Sequence, residues 1–267
     1  MPASYLYRQK AISKLYKEPL GDGIELELVL IPAGTFTMGS PAFELQREES
    51  EGPQHPVEIS KFYMGRFPVT QEQWRAVSQF ASVNRDLKLE PSYFNDDKNP
   101  VEQVSWHEAM EFCDRLTAHS KYTYHLPTEA EWEYACRGRT PSPFYCGQTI
   151  STNIANYNGS YTYGEEDGGK NRRETTPVNH FEMTNPFGLS DMHGNVLEWC
   201  LDHWHENYNY APIDGKAWLT NDENADRILR GGSWLDVPGD CRSASRTHYN
   251  PDFTFNRIGF RIVLAPR

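Results

Sequence analysis

From residue 24 the chain alternates apolar and acidic positions. IELELVLIP sets Ile24, Leu26, Leu28 and Leu30 against Glu25 and Glu27. A period of two predicts a half-buried strand. The turn PAGTF breaks it and TFTMG resumes it, which predicts a hairpin. Three helical stretches follow, and each opens on a capping box, in which a hydroxyl and a side chain three residues on satisfy orphan N–H groups reciprocally. Thr70 and Gln73 open the first, with Trp74, Val77 and Phe80 on one face. Ser105 and Glu108 open the second, with Ala109, Phe112, Cys113 and Leu116 inward. Thr128 and Glu131 open the third, which carries Trp132, Ala135 and Cys136 and stops at Gly138. Beyond it Gly, Asn and Pro recur at short intervals, so turns predominate. Residues 1–22, with Tyr5, Leu6, Ile12, Leu15 and Tyr16 among mixed charges, read as a lead-in forming one short helix. With no linker or internal repeat, residues 23–267 read as one domain.

Composition narrows the classes. Seven Trp, 15 Tyr and 13 Phe beside 19 Gly and 18 Pro point to a loop-rich fold with large rings between irregular segments. The net charge of −11 repels a phosphate backbone, so no nucleic-acid partner is expected. No stretch is long and apolar enough to span a bilayer, and the charged N-terminus lacks the apolar core of a signal peptide. The five cysteines, Cys113, Cys136, Cys146, Cys200 and Cys241, form no CxxC pair, so neither a zinc knuckle nor a disulfide framework is indicated. The expected compartment is the reducing cytoplasm.

Six blocks then occur in a fixed order: IPAGTFTMGS, HPVEISKFYMGRFPVTQEQW, NPVEQVSWHEAMEFCDRL, YHLPTEAEWEYACRG, NPFGLSDMHGNVLEWC, and RILRGGSW with NRIGFRIV. Together they resemble the signatures of the sulfatase-modifying-factor family, which includes formylglycine-generating enzymes. The resemblance implies an irregular α+β fold of the C-type-lectin kind, with a few short helices and small antiparallel sheets.

It also implies calcium as a structural cofactor. Asp191 and Glu198 of DMHGNVLEW offer carboxylates around a sharp turn at Gly194, and calcium takes six to eight oxygens. The matching positions are Asp191, Gly194, Val196 and Glu198, with Gly194 and Val196 acting through carbonyls. A second calcium site falls near Asn156, Tyr157 and the stretch GEEDGG. The alternative is that the two acids only cap the turn and pair with arginines. The family's oxidase activity uses two cysteines as copper(I) ligands just after GGS(W/Y). Here that segment reads GGSWLDVPGDCRSASR, with Leu235, Asp236 and Pro238 where the pair should lie and Cys241 alone. One thiolate without a second soft ligand does not make that site.

Lesser sites are Cys200, His203 and His205 in CLDHWH, a metal cluster or a structural turn, and the packing histidines His107 and His125. Residues 230–261 are stranger. A family-like frame, RGGSW, P, C-R-S-A, R, NPD and IGFR, encloses residues with neither helical period nor alternation: Leu235, Asp236, Val237, Gly239, Asp240, Ser245, Thr247, His248, Tyr249, Phe253, Thr254, Phe255, Asn256 and Arg257. The pattern resembles the variable proteins of diversity-generating retroelements, in which error-prone copying at adenines scatters asparagine codons into many residue types. Leu235, Asp236, Val237, Asp240, Ser245, Thr247, His248, Tyr249, Phe253, Phe255 and Arg257 are all reachable from AAC by adenine changes alone. Aromatic and small polar residues on a rigid scaffold also make a paratope-like surface. The plainer alternative is an ordinary loop with buried phenylalanines.

The expectation is therefore a non-catalytic protein that binds a protein or other macromolecule through this surface. The alternatives are a copper-dependent cysteine oxidase using Cys241 and an unrecognised second ligand, and a structural partner domain without diversification.

Overall fold

The computed structural model describes residues 13–265. The first strand, β1 (Leu15–Gly21), pairs antiparallel with β2 (Ile24–Ile31) across a two-residue turn. Asp22 and Gly23 both have positive φ, 51° and 79°, the conformation that matches a tight hairpin to the right-handed twist of its strands. Leu15 and Tyr16 thus lie in a strand and not in a helix. Tyr5, Leu6 and Ile12 fall outside the described residues.

The strand expected at 24–31 forms, but its hairpin with the next segment does not. Both edges of β2 are taken, one by β1 and the other by β5 (Phe62–Gly65). After Pro32 the chain leaves that sheet, and β3 (Gly34–Met38) pairs with β4 (His55–Ile59) in a separate ribbon. The larger sheet runs β1-β2-β5-β11-β6, with β6 at Tyr124–His125 and β11 at Val263–Leu264. Nearly the last residues of the chain therefore lie between two strands from its first half.

All three capping boxes are present. They start α1 (Gln71–Ser78), α2 (Trp106–His119) and α3 (Glu129–Arg137). Thr128 accepts from the Glu131 N–H at 3.0 Å, and Glu131 accepts from the Thr128 N–H at 2.9 Å. Gly138 ends α3 at φ 53°, in the left-handed region a C-terminal cap requires. Trp74, Phe112 and Phe260 pack ring on ring in one core cluster. Trp132 and Cys136 of α3 lie in a second, with Met64, Ile228 and Val263.

A four-stranded sheet, β10-β7-β8-β9, carries the rest: β7 (Leu197–His203), β8 (Arg227–Arg230), β9 (Arg246–Tyr249) and β10 (Ile258–Gly259). β9 is an edge strand. With three short α-helices among the described residues, small sheets and long ordered loops between them, the fold is the irregular α+β one expected.

Candidate ligand-binding surface

Leaving β8, the chain turns through Gly231 and Gly232, at φ 96° and 66°. A Cβ on Gly231 would stand 2.9 Å from the Trp132 ring, and one on Gly232 2.5 Å from Cys241 Sγ. Only glycine fits both the angle and the space. Trp234 follows, buried against Phe94 edge to face at 5.5 Å, its Nε1–H donating to the Asn256 carbonyl at 3.0 Å. A 3-10 turn at Pro238–Cys241 buries the Cys241 side chain.

Arginines then fix the segment to distant parts of the chain. Arg242 donates to Glu51 at 2.6 Å and to Glu44 at 2.7 Å, and Arg246 to Glu129 at 2.6 and 3.0 Å. Arg230 pairs with Glu133 and donates to the carbonyls of Ser243, Ala244 and Ser245. These pairs are buried, and breaking one partner leaves an uncompensated charge, typically at a cost of about 3–5 kcal/mol.

Between these anchors the chain faces outward. Leu235, Asp240, Phe253, Thr254 and Phe255 are exposed, and Asp236, Val237, Ser245, Thr247, His248, Tyr249, Asn256 and Arg257 are half-buried. Leu235, Phe253 and Phe255 stand 41%, 39% and 42% exposed, so these phenylalanines are not core residues. Gly239 departs from the expectation: it is buried beneath Gln46, whose Oε1 would lie 1.8 Å from an added Cβ. His248 departs differently. Strand alternation places it with Arg246, on the face opposite Thr247 and Tyr249. There it stacks on Trp204 at 4.1 Å and pairs with Asp226 at 2.6 Å.

Several of the others are linked to one another. Arg257 pairs with Asp236 and donates to the Tyr249 hydroxyl at 2.8 Å. Tyr249 stacks on Phe253 at 4.5 Å, and Phe253 lies 6.3 Å from Phe255. Asp236, Asp240, Ser245, Thr247 and Arg257 line a cavity of about 210 Å³.

The residues expected to hold calcium are differently engaged. Gly194 turns at φ 83° directly against Asn156, and the Asn195 N–H donates to the Asn156 carbonyl at 2.7 Å, so the two loops adjoin. Burial pushes the Asp191 carboxyl up to about 6, and Asp191 accepts from the Asn179 N–H at 2.9 Å. Glu198 accepts from Arg261 at 2.6 and 2.7 Å and from Trp132 Nε1 at 2.7 Å. With a guanidinium already there, Asp191 and Glu198 do not fit a two-carboxylate cage. Val196 is buried beside them. Among the described residues no group of three or more His, Cys, Asp or Glu is placed to hold a metal. Asn156 fits better, since its Oδ1 is buried with no hydrogen-bond partner. Neighbouring Tyr157 is occupied, its hydroxyl donating to the Ile150 carbonyl at 2.9 Å.

Cys200, His203 and His205 do not converge. Cys200 is buried, His203 accepts from the Thr220 N–H at 2.8 Å, and His205 stacks on Trp218 at 3.6 Å. His107 lies 3.8 Å from Asp252, and His125 makes a 2.7 Å contact with the Leu126 carbonyl. Burial pushes the Cys241 thiol well above its usual range, the opposite of what a thiolate metal ligand needs. Two residues escaped the sequence reading. Glu129 and Glu133 of α3 look like ordinary helix-surface acids, yet both are buried as anchors for the arginines that flank GGSW, Glu133 for Arg230 before it and Glu129 for Arg246 after it. The signal was the company they keep: two inward carboxylates on a helix imply cations elsewhere in the chain.

This combination of fold, turn and anchored segment is that of a known class. Residues 22–266 match the family model described as the sulfatase-modifying factor enzyme 1-like domain, and the chain belongs to that family. The serine/threonine-protein kinase pkn1 of Chlamydia caviae is 31% identical over 97% of this chain, which spans 42% of that protein's length. Among solved structures, PvdO from Pseudomonas aeruginosa superposes with a TM-score of 0.79 at 31% identity, covering 97% of this chain and all of the other. Variable protein 1 of Treponema denticola superposes with a TM-score of 0.77 at 24% identity, covering 96% of this chain and all of the other; at that identity it shows the fold. No helix among the described residues is long and apolar enough to cross a membrane.

Proposed function

We propose that this protein is a non-catalytic member of its family that binds a protein ligand through residues 235–257, displayed as a diversified surface of the retroelement variable-protein kind. One observation carries the reading: burial sorts the segment. Trp234, Cys241, Arg242, Ser243, Ala244, Arg246 and Ile258 are buried, and every proposed variable position between them except Gly239 reaches solvent. A surface of this kind works only if folding is indifferent to it, and substitutions at such positions usually change stability by no more than about 0.5 kcal/mol each. The fold shared with the Treponema variable protein supports the same reading.

The test combines Leu235→Ser, Val237→Ser, Tyr249→Ser, Phe253→Ser and Phe255→Ser in one variant. It is expected to melt close to the wild type and to lose ligand binding. Trp234→Ala, in the frame, is expected to cost about 3–5 kcal/mol. Unfolding of the five-fold variant shows those residues to be core and ends the proposal. A reverse transcriptase gene beside an asparagine-rich near-copy of residues 230–261 is the genomic counterpart.

Calcium belongs to this reading as a scaffold ion at the Asn156 turn. The support is the orphaned Asn156 Oδ1, with the Gly194 turn against it.

A further inference from the structure

The cavity beneath the proposed surface has a charge pattern that display alone does not require. Two carboxylates, Asp236 and Asp240, and two guanidiniums, Arg246 and Arg257, line it. Three of the four are matched: Arg257 pairs with Asp236, and Arg246 with buried Glu129. Asp240 is not. It is exposed at the cavity wall and makes no ion pair among the described residues. Although the residue as a whole is exposed, its carboxyl is partly desolvated at the wall; that desolvation first, and the neighbouring Asp236 carboxylate second, raise the Asp240 pKa against the opposing pull of Arg242 and Arg257. Such a carboxylate is one that an added cation stabilises.

Size and surroundings specify the cation. At about 210 Å³ the cavity is smaller than the roughly 300–1,000 Å³ of sites that enclose a whole small molecule. It suits one side chain of a larger partner. Linked to it through Arg257 is the run of rings Tyr249, Phe253 and Phe255. Rings of this kind pack on the methylene stem of a long basic side chain or stack on a guanidinium. The chain's net charge of −11 adds long-range attraction for a basic surface.

We propose that the surface docks a protein partner which inserts a lysine or arginine side chain beside Asp240, its apolar stem covered by Tyr249, Phe253 and Phe255. The inference rests on the display-surface reading of residues 235–257.

The probe is a phage-displayed random peptide library panned on the full chain. Selected peptides are resynthesised, and their binding is measured by fluorescence anisotropy. Three proteins are compared: the wild type, Asp240→Asn and the five-fold Ser variant. The expected peptides share a Lys or Arg whose replacement by norleucine abolishes binding. Asp240→Asn, which is expected to melt as the wild type does, weakens them about thirtyfold, and added salt weakens them in the wild type. Peptides that need the five aromatic and apolar side chains but carry no basic residue, or bind Asp240→Asn equally, overturn this inference and leave the display surface standing. Peptides that bind the five-fold variant as well as the wild type, or a library that yields no binder, overturn both.

Discussion

Glu198 and Arg261 show how much one side chain can decide. The pair is buried and bidentate, with Trp132 completing it. Glu198→Ala is expected to lose about 3–5 kcal/mol in a urea melt, because it strands the Arg261 guanidinium. The loss should be the same in calcium and in chelator. A loss seen only in calcium would put an ion, not Arg261, at that carboxylate. Asn156 carries the opposite expectation. If its orphaned oxygen helps hold calcium, chelation lowers the melting temperature of the wild type by mass action, and Asn156→Ala no longer responds. An identical wild-type melt with and without chelator removes calcium from the scaffold.

At the scale of elements, the turn at Tyr93–Phe94 depends on a single acid. Glu102 accepts from the Tyr93 and Phe94 N–H groups at 2.7 and 2.9 Å, its other oxygen is buried without a partner, and Phe94 packs on Trp234. Burial raises its pKa from 4.5 to about 7. Below about pH 4.5 the group is protonated folded or unfolded, and stability is full. As pH rises toward 7 the unfolded chain ionises first, so stability falls until both states are charged. Glu102→Gln keeps both accepted bonds and cannot ionise. It is expected to flatten this decline and to exceed the wild type by roughly 2 kcal/mol above pH 7. Denaturant midpoints at about pH 5 and about pH 8 measure it, and parallel pH curves for the two proteins refute it. The helices were legible because a capping box is a local device, complete within four residues. The β1–β2 hairpin was missed: the Asp22–Gly23 pair is a turn signal, but the mixed charges around Leu15 and Tyr16 masked the alternation and read as a helix. The expected β2–β3 hairpin failed because adjacency in sequence does not reserve an edge that β5 occupies from afar. The inward acids of α3 signalled that cations lie elsewhere in the chain, but which acids anchor Arg242 and Arg246 was not legible, since each partner lies more than a hundred residues away.

At the scale of the molecule, the family's ordered blocks made the fold readable, because they are mostly the residues that pack its core and turns. They also mark what this chain lacks. Leu235, Asp236 and Pro238 stand where the resemblance places a copper-binding pair, and Cys241 is buried. Purified protein supplied with copper(I) and a sulfatase-type cysteine peptide is expected to form no aldehyde. Turnover that disappears in Cys241→Ser would return the chain to the oxidases. The placement of β11 has one more consequence. Val263 and Leu264 lie between β5 and β6, downstream of every position proposed to vary. A chain that ended within residues 235–257 would lack this strand together with Arg261. The emerging chain would reach the end of synthesis with its central sheet split between β5 and β6. β5 and β6 can therefore be joined only after the whole of residues 235–257 has been translated.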